Sequence, residues 1–591
     1  MSDRGTGDGG DVVMEAKGVC LAFQRGGVRA LDGVSVVARR GGVTGLVGPD
    51  GAGKTTLLRL AAGLHAADEG RLRVLGLDPV RDANAIRTRV GYMPQQFGLY
   101  EDLKVRENLD FHADLQGVPM ARRPERFGRL LEMTGLGPFT GRLVGRLSGG
   151  MKQKLGLACC LVKSPGLLLL DEPTVGVDPV SRRDLWEIVY HLIEREGIGV
   201  VLSTSYLDEA ERCHHVVILH DGRKLSEGPP RQFREGMRGR VRLVTPAAGV
   251  SPRHVQSVMA RQPRVIDATI RSGRVRVVFA EGRVPEADGL PAGLCAEATP
   301  AEPVFEDAFV EMLSPRVAKG PNRVAVENGV DHGNGTEAVV SVRDLTKRFG
   351  DFEAVRGIGF EVRKGEVFGL LGPNGAGKST TFRMLCGLLP ASGGRLRVAG
   401  RDLRTSGAVA RERLGYMAQR FSLYEHLPVQ HNLRFYGRAY GLKGSRLRKR
   451  LDWALREFGL EDRKDQPAGS LPGGCRQRLA MAAATLHEPD ILFLDEPTSG
   501  ADPLARREFW LRINGFAQSG VTVIVTTHFM AEAEYCDRML IMSQGRPLAL
   551  GTPHEIRAMA RTNDKPDPTI EDAFIALAEG RVQPGKENQG G

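Results

Sequence analysis

The sequence predicts an α/β protein built from two tandem copies of one domain, with a small α/β appendage after the first copy. Three observations predict it. The Gly-rich run Gly48-Pro49-Asp50-Gly51-Ala52-Gly53-Lys54-Thr55 recurs as Gly372-Pro373-Asn374-Gly375-Ala376-Gly377-Lys378-Ser379, an offset of 324 residues. Three further segments recur at that offset: Gly91 to Gln95 with Gly415 to Gln419, Leu147-Ser148-Gly149-Gly150 with Leu471-Pro472-Gly473-Gly474, and Leu170 to Thr174 with Leu494 to Thr498. In each copy the Gly-rich run sits between a β-like and a helix-like segment, and a separate apolar run ends in Asp-Glu.

Length and composition agree with this organisation. A chain of 591 residues is too long for one core and suggests about four units at about 150 residues each. With 41% hydrophobic and 26% charged residues, it has the composition of a globular protein and not of a disordered, collagenous or membrane-embedded one. The run Gly166 to Leu170 stops at Asp171-Glu172, far short of the ~20 residues a bilayer requires, and reads as a buried strand. The start Met1-Ser2-Asp3-Arg4-Gly5 lacks the apolar core of a signal peptide, so a cytoplasmic location is expected. Eight scattered cysteines without a C-x-x-C pair suggest reduced thiols. The net charge of +11 leaves open nucleic acid, an anionic membrane, a phosphate-rich ligand, or an Arg excess spread over solvated faces.

Read in order, residues 1–10 form a disordered tail, 11–236 the first copy, and 237–313 the appendage. Residues 314–336, rich in Gly, Pro, Asn and charge, form a linker. The second copy spans 337–556, a short C-terminal appendage 557–580, and a second disordered tail 581–591. Within the first appendage, alternating runs such as Arg274-Val275-Arg276-Val277-Val278-Phe279 predict strands, and His254 to Ala260 predicts a helix. Pro303 to Leu313 closes that appendage with Glu306-Asp307-Ala308-Phe309, and Glu571-Asp572-Ala573-Phe574 closes the second half in the same way.

The Gly-rich runs have the form of a phosphate-binding loop, G-x-x-x-x-G-K-[ST]. Each follows a β-like run, Val43 to Val47 or Val367 to Leu371, and the first opens a helix-like run containing Leu57, Leu58, Leu60 and Ala61. Glycines let backbone N–H groups surround a phosphate at a helix N-terminus, the lysine bridges β- and γ-phosphates, and Thr55 or Ser379 offers a hydroxyl to Mg²⁺. The adjacent Thr56 and Thr380 complete the loops. A chance Gly-rich turn would explain one such loop, not two in register with other motifs. Where each apolar strand ends, Asp171 or Asp495 is placed to anchor the Mg²⁺ shell, and Glu172 or Glu496 to polarise the attacking water.

Taken together, the phosphate loop, Gln95 or Gln419, the L-S-G-G-type segment, L-D-E-P-T and the following Gly176-Val177-Asp178-Pro179 or Gly500-Ala501-Asp502-Pro503 resemble the nucleotide-binding domain of ABC ATPases. The resemblance covers nearly all of both copies. It implies P-loop ATPase domains with a RecA-like core, an antiparallel β subdomain and a helical subdomain, using ATP and Mg²⁺. It also implies head-to-tail pairing of the two copies as an internal pseudo-dimer. Ser148, Gly149 and Gly150 would then share one site with Lys378, and Gly473 and Gly474 the other with Lys54. Gln95 and Gln419 would sense the γ-phosphate and Mg²⁺ and face a transmembrane partner.

The departures from the family pattern are unevenly distributed. Pro472 replaces the signature serine, which removes a hydroxyl and a backbone donor although proline is tolerated at a helix start. The switch histidine is His528 in the second copy, but the first reads Ser203-Thr204-Ser205, with the register shifted by one residue. The adenine-stacking aromatic resembles Phe349 in the second copy, while the matching position is Arg25, with Phe23 nearby. All three departures fall on the Lys54 site, so the sequence predicts a competent Lys378 site and a degenerate Lys54 site that nevertheless keeps Glu172.

The resemblance is strongest to the tandem ATP-binding subunits of bacterial exporters of the multidrug or ABC-2 type. It is carried by Leu99-Tyr100-Glu101-Asp102-Leu103, Leu423-Tyr424-Glu425-His426-Leu427, Ser205-Tyr206-Leu207-Asp208-Glu209-Ala210-Glu211 and the E-D-A-F segments. That implies two separate integral-membrane subunits and a peripheral position on the inner face of the cell membrane. The alternatives are a soluble ABC-class factor acting on the ribosome and the fused ATPase of a sugar importer. Residues 240–335 lack the long charged helical arm expected of the former. The basic stretch Lys443 to Arg450 reads as a solvated face, with a position near anionic lipid as the alternative, and its lack of interleaved aromatics means that no nucleic-acid partner is expected.

Overall fold

Leu167–Asp171 is buried at every position, and so is its counterpart Ile491–Asp495. Both are inner strands of mostly parallel sheets covered on each face, which is why they read as unbroken apolar runs and not as alternating ones. The computed structural model describes residues 12–23, 29–95, 98–282, 291, 293–314, 337–403, 412–499, 501–562 and 565–578. Both tails, linker residues 315–336, Arg25 and Gly500 lie outside the described residues.

The chain divides into two units, residues 1–238 with 303–312, and residues 239–302 with 313–591. In the first, the six-stranded sheet runs Val90–Met93, Leu167–Asp171, Gly199–Thr204, Val43–Val47, His215–His220, Arg223–Gly228. The first five strands are parallel and the last is antiparallel. A three-stranded antiparallel sheet holds Val12–Ala22 between Arg29–Arg39 and Glu69–Val74. Helices Val105–Leu115, Arg123–Thr134 and Gly149–Leu161 follow the glutamine segment. The second unit repeats this plan: its six-stranded sheet runs Leu414–Met417, Ile491–Asp495, Thr522–Thr527, Val367–Leu371, Arg538–Ser543, Arg546–Gly551. In both, the strand before the Gly-rich run lies inside the α/β sheet, where its carboxyl end is the place such folds offer a ligand.

Between residues 241 and 300 the described strands form a separate four-stranded antiparallel sheet in the order Val265–Arg271, Arg274–Phe279, Val241–Pro246, Cys295–Pro300. Helix Pro252–Ala260 covers one face through Val255 and Met259, packed with Val244, Val275, Val277 and Phe279. Although this appendage follows the first copy in sequence, it groups in space with the second. The closing helix Phe305–Leu313 returns to the first unit, where the backbone N–H of Phe305 donates to Glu211 at 2.5 Å. The basic stretch forms the start of helix Gly444–Glu457, which buries Leu447, Leu451 and Ala454 and turns most of its charges outward.

Candidate functional site

Each phosphate loop is fixed by glycines that no other residue could replace. A Cβ on Gly48 would stand 2.2 Å from the Leu219 carbonyl oxygen, and one on Gly372 the same distance from that of Met542. Gly53 and Gly377 adopt φ of 99° and 95° immediately before the helices Lys54–Ala61 and Lys378–Leu385, a region L side chains avoid. The lysines open those helices and are buried. Lys54 Nζ donates to the carbonyls of Gly48 (2.6 Å) and Pro49 (3.1 Å) and lies 3.5 Å from Glu172. Lys378 Nζ donates to Gly372 (2.7 Å) and Pro373 (3.0 Å) and lies 3.9 Å from Glu496.

The acid pairs converge on the same places. Thr55 donates to Asp171 at 2.9 Å, as does Ser203 at 2.6 Å, while Thr526 donates to Asp495 at 2.6 Å. Gln95 donates to Glu172 at 2.7 Å, and Gln419 to Glu496 at 2.8 Å. Both glutamates have left-handed backbones, φ 47° and 45°, a strained conformation for a residue with a side chain. It is held by the next strand: the Glu172 N–H donates to Ser203 Oγ, and that of Glu496 to Thr526 Oγ1. Thus the structure gathers Lys54, Thr55, Gln95, Asp171 and Glu172 in one copy, and Lys378, Gln419, Asp495, Glu496 and His528 in the other.

A family model of the ABC transporter matches residues 31–175 and again 355–499. The probable multidrug ABC transporter ATP-binding protein YbhF of Escherichia coli K12 is 49% identical over 571 residues, which is 96% of this chain and 98% of that one. The chain belongs to the ABC transporter family. This ABC ATPase hydrolyses ATP, as its two family domains and its end-to-end relative establish. The Nod factor export ATP-binding protein I of Ralstonia nicotianae GMI1000 is 43% identical over 225 residues, 38% of this chain and 70% of its own. A solved ATP-binding subunit of an ABC transporter is 31% identical, with a TM-score of 0.38, covering 41% of this chain and 99% of its own.

The two sites of this ABC ATPase differ in their electrostatics. Burial pushes the Glu172 carboxyl up, against the opposing pull of Lys54. Burial acts on Glu496 too, but there the hydrogen bond and charge of His528, with Lys378 and Gln419, outweigh it and hold the group below its ordinary value. His528 Nδ1 lies 3.1 Å from Glu496, and its Nε2 is buried without a hydrogen-bond partner among the described residues. An orphaned polar atom beside a phosphate loop fits a γ-phosphate acceptor. The lysine amines, turned back on their own loop carbonyls, also fit a site whose phosphates would take over those bonds.

The signature helices begin differently as well. Ser148 Oγ accepts from the Met151 N–H at 3.3 Å and caps Gly149–Leu161. Pro472 precedes Gly473–Thr485 with no side-chain cap, yet both helices have 13 residues. In the Gly-x-Asp-Pro segments, Asp178 and Asp502 cap the following helices and the prolines occupy the first helical position. Phe349 ends its strand half exposed, with Lys347 5.1 Å from its ring centroid. Phe23 is also exposed and meets His65 edge-on at 5.6 Å.

Sequence reasoning missed a buried carboxylate behind each site. Glu209 accepts from Thr174 (2.6 Å), Thr204 (2.7 Å) and Trp186 (3.3 Å). Glu532 accepts from Thr498 and from Thr527, and Arg506 stands 3.4 Å away. Each ties the L-D-E-P-T threonine to the end of the next strand. The signal was present as a Thr and Glu pair repeated at an offset of 323, Thr204 with Glu209 and Thr527 with Glu532.

Proposed function

We propose that this chain is the ATP-hydrolysing subunit of an exporter whose membrane-spanning subunits, two in number, are separate chains, and that it works on the inner face of the cell membrane. Its similarity to YbhF over 96% of its length supports this reading, as does the partial similarity to Nod factor export ATP-binding proteins. No helix among the described residues is long and apolar enough to cross a membrane. The exposed Tyr100, Tyr424 and Phe435 behind the glutamine segment offer docking surfaces: Tyr100 packs edge-on against the partly buried Phe111 at 4.7 Å, and Tyr424 against Phe435 at 5.0 Å. The cargo would be selected by the membrane chains.

The observation that carries the catalytic reading is the His528 to Glu496 contact, which has Ser205 in place of the histidine in the first copy. We read the two copies as a head-to-tail pair, with Ser148, Gly149 and Gly150 completing the Lys378 site, and Gly473 and Gly474 the Lys54 site. Glu496 polarises water, Gln419 and His528 hold its carboxylate, and Lys378 draws charge from the phosphates. Thr55, Gln95 and Asp171, or Ser379, Gln419 and Asp495, would hold Mg²⁺, which neutralises phosphate charge when bound. The Lys54 site, with its more proton-retaining Glu172 and the uncapped Pro472 segment opposite, chiefly binds ATP. The test is affinity purification of the full chain from native membranes. Two multi-span membrane proteins should accompany it; recovery with ribosomes, lost at high salt, would overturn the exporter reading.

A further inference from the structure

The appendage grips both elements that leave the second catalytic centre. Helix Pro503–Gln518 leaves the Glu496 loop through Asp502, and Arg507 on that helix lies 3.1 Å from Asp267 of the appendage, with both side chains largely buried. One helical turn pair further on, Asn514 donates to Gln256 at 2.9 Å, and Gln256 in turn donates to the Ala268 carbonyl at 2.9 Å. Ile270 inserts into the core of the second copy.

The other element is the segment that follows His528, with its short helix Met530–Tyr535. The Gly273 N–H donates to Glu534, which Arg557 also holds at 3.0 Å. One guanidinium nitrogen of Arg253 lies 2.6 and 2.5 Å from the two carboxylate oxygens of Asp537. Asp537 also accepts from the Val367 N–H at 2.8 Å, and its own N–H donates to the Val367 carbonyl at 2.8 Å. Val367 begins the strand that ends in the Lys378 phosphate loop. Arg253 therefore neutralises the carboxylate that locks the end of the switch segment to the base of the phosphate-loop strand.

The first copy is built differently at this point. His214 replaces Asp537 at the 323-residue offset, and its Nδ1 accepts from the Val43 N–H at 3.1 Å. An imidazole nitrogen that accepts there needs no counter-cation, whereas a partly buried carboxylate does. Glu211, matching Glu534, takes the Phe305 N–H.

We propose that the appendage is a clamp that positions His528 and the Glu496 loop for ATP hydrolysis at the Lys378 site, with Arg253 and Asp267 as its positioning residues. This rests on the reading that the second copy's site turns over. Neither residue is placed against the nucleotide; each acts through the element it holds. Loss of the clamp should lower kcat while leaving ATP binding and KM nearly unchanged, because the phosphate loop itself stays intact.

The experiment compares Arg253→Ala in two parent chains, one carrying Glu172→Gln and the other Glu496→Gln. In the Glu172→Gln parent, whose turnover depends on Glu496, kcat should fall about fivefold with KM changed less than about twofold, and Arg253→Lys should restore most of it. In the Glu496→Gln parent, turnover should change less than about twofold. Equal falls in both parents, no fall in either, or a fall that Lys does not relieve would overturn the clamp. If Arg253→Ala does not fold by thermal unfolding, Asp267→Asn decides by the same comparison. Failure of the two-site reading shows itself separately, as equal turnover of the two parents before Arg253 is touched.

Discussion

Nδ1 of His528 and Oε2 of Glu496 stand 3.1 Å apart, and the same carboxylate oxygen accepts from Gln419 at 2.8 Å. The matching oxygen of Glu172 accepts from Gln95, and Ser205 occupies the histidine's place in sequence. The chemistry of the two glutamates therefore differs although their backbones are almost superimposable in φ. Glu496→Gln should abolish most steady-state ATPase, a loss of about 10²-fold or more, whereas Glu172→Gln should cost less than about threefold. Equal losses would show two equivalent sites.

The same contrast sets a pH dependence. Glu496 is held below its ordinary value and stays ionised to lower pH, while burial raises Glu172 and keeps its proton to higher pH. A general base works only ionised. The acid limb of the rate profile should thus lie at lower pH in the Glu172→Gln chain, which retains Glu496, than in the Glu496→Gln chain, which retains Glu172. Rate profiles of the two variants from pH 5 to 8 check this; coincident acid limbs, or the reverse order, would contradict it.

Both loops and both acid pairs were legible in the sequence because their spacing is local and repeated at one offset. Their strain was not. The left-handed Glu172 and Glu496 depend on Ser203 and Thr526, which reach them across the sheet from the next strand. Glu209 and Glu532 escaped notice for a similar reason: each is a carboxylate in a surface-like sequence that burial and threonine donors turn into a structural bond. The appendage's strands and helix follow from its alternation, but alternation reports only that a face is apolar. The partners of Arg253 and Asp267 lie 284 and 240 residues away, and no periodicity encodes them.

The two signature helices give a stability contrast. Ser148→Ala removes the cap on Met151 N–H and should cost about 1 kcal/mol, a fall of roughly 2–4 °C in the melting of its domain. Pro472→Ala removes no side-chain cap and loses only the proline's restriction of the unfolded chain, about 0.5 kcal/mol, so the second domain should melt roughly 1–2 °C lower, less than the Ser148→Ala fall. Differential scanning calorimetry of the full chain separates the two; a Pro472→Ala loss equal to that of Ser148→Ala would show that capping is not the difference.

Removal of the buried carboxylate should be more damaging than removal of a cap. Glu532→Ala leaves Thr498 and Thr527 without their shared acceptor and removes the carboxylate that stands 3.4 Å from Arg506. The expected cost is about 3 kcal/mol, seen as a lower urea midpoint for the second domain. Glu532→Gln keeps the shape and one acceptor oxygen and should recover part of it.

The placement of residues 239–302 on the second copy means that sequence order and assembly order disagree. On a ribosome, the appendage is complete while the helix Pro503–Gln518 and Asp537 are still to be made, about 235 residues later, or roughly 10–50 s of synthesis. During that interval Ile270, Arg253 and Asp267 face solvent without the surface that buries them. Any separation of the protein into halves at residues 315–336 would recreate that nascent state permanently, leaving the first half with an apolar, charged face for which only the second half has the complement.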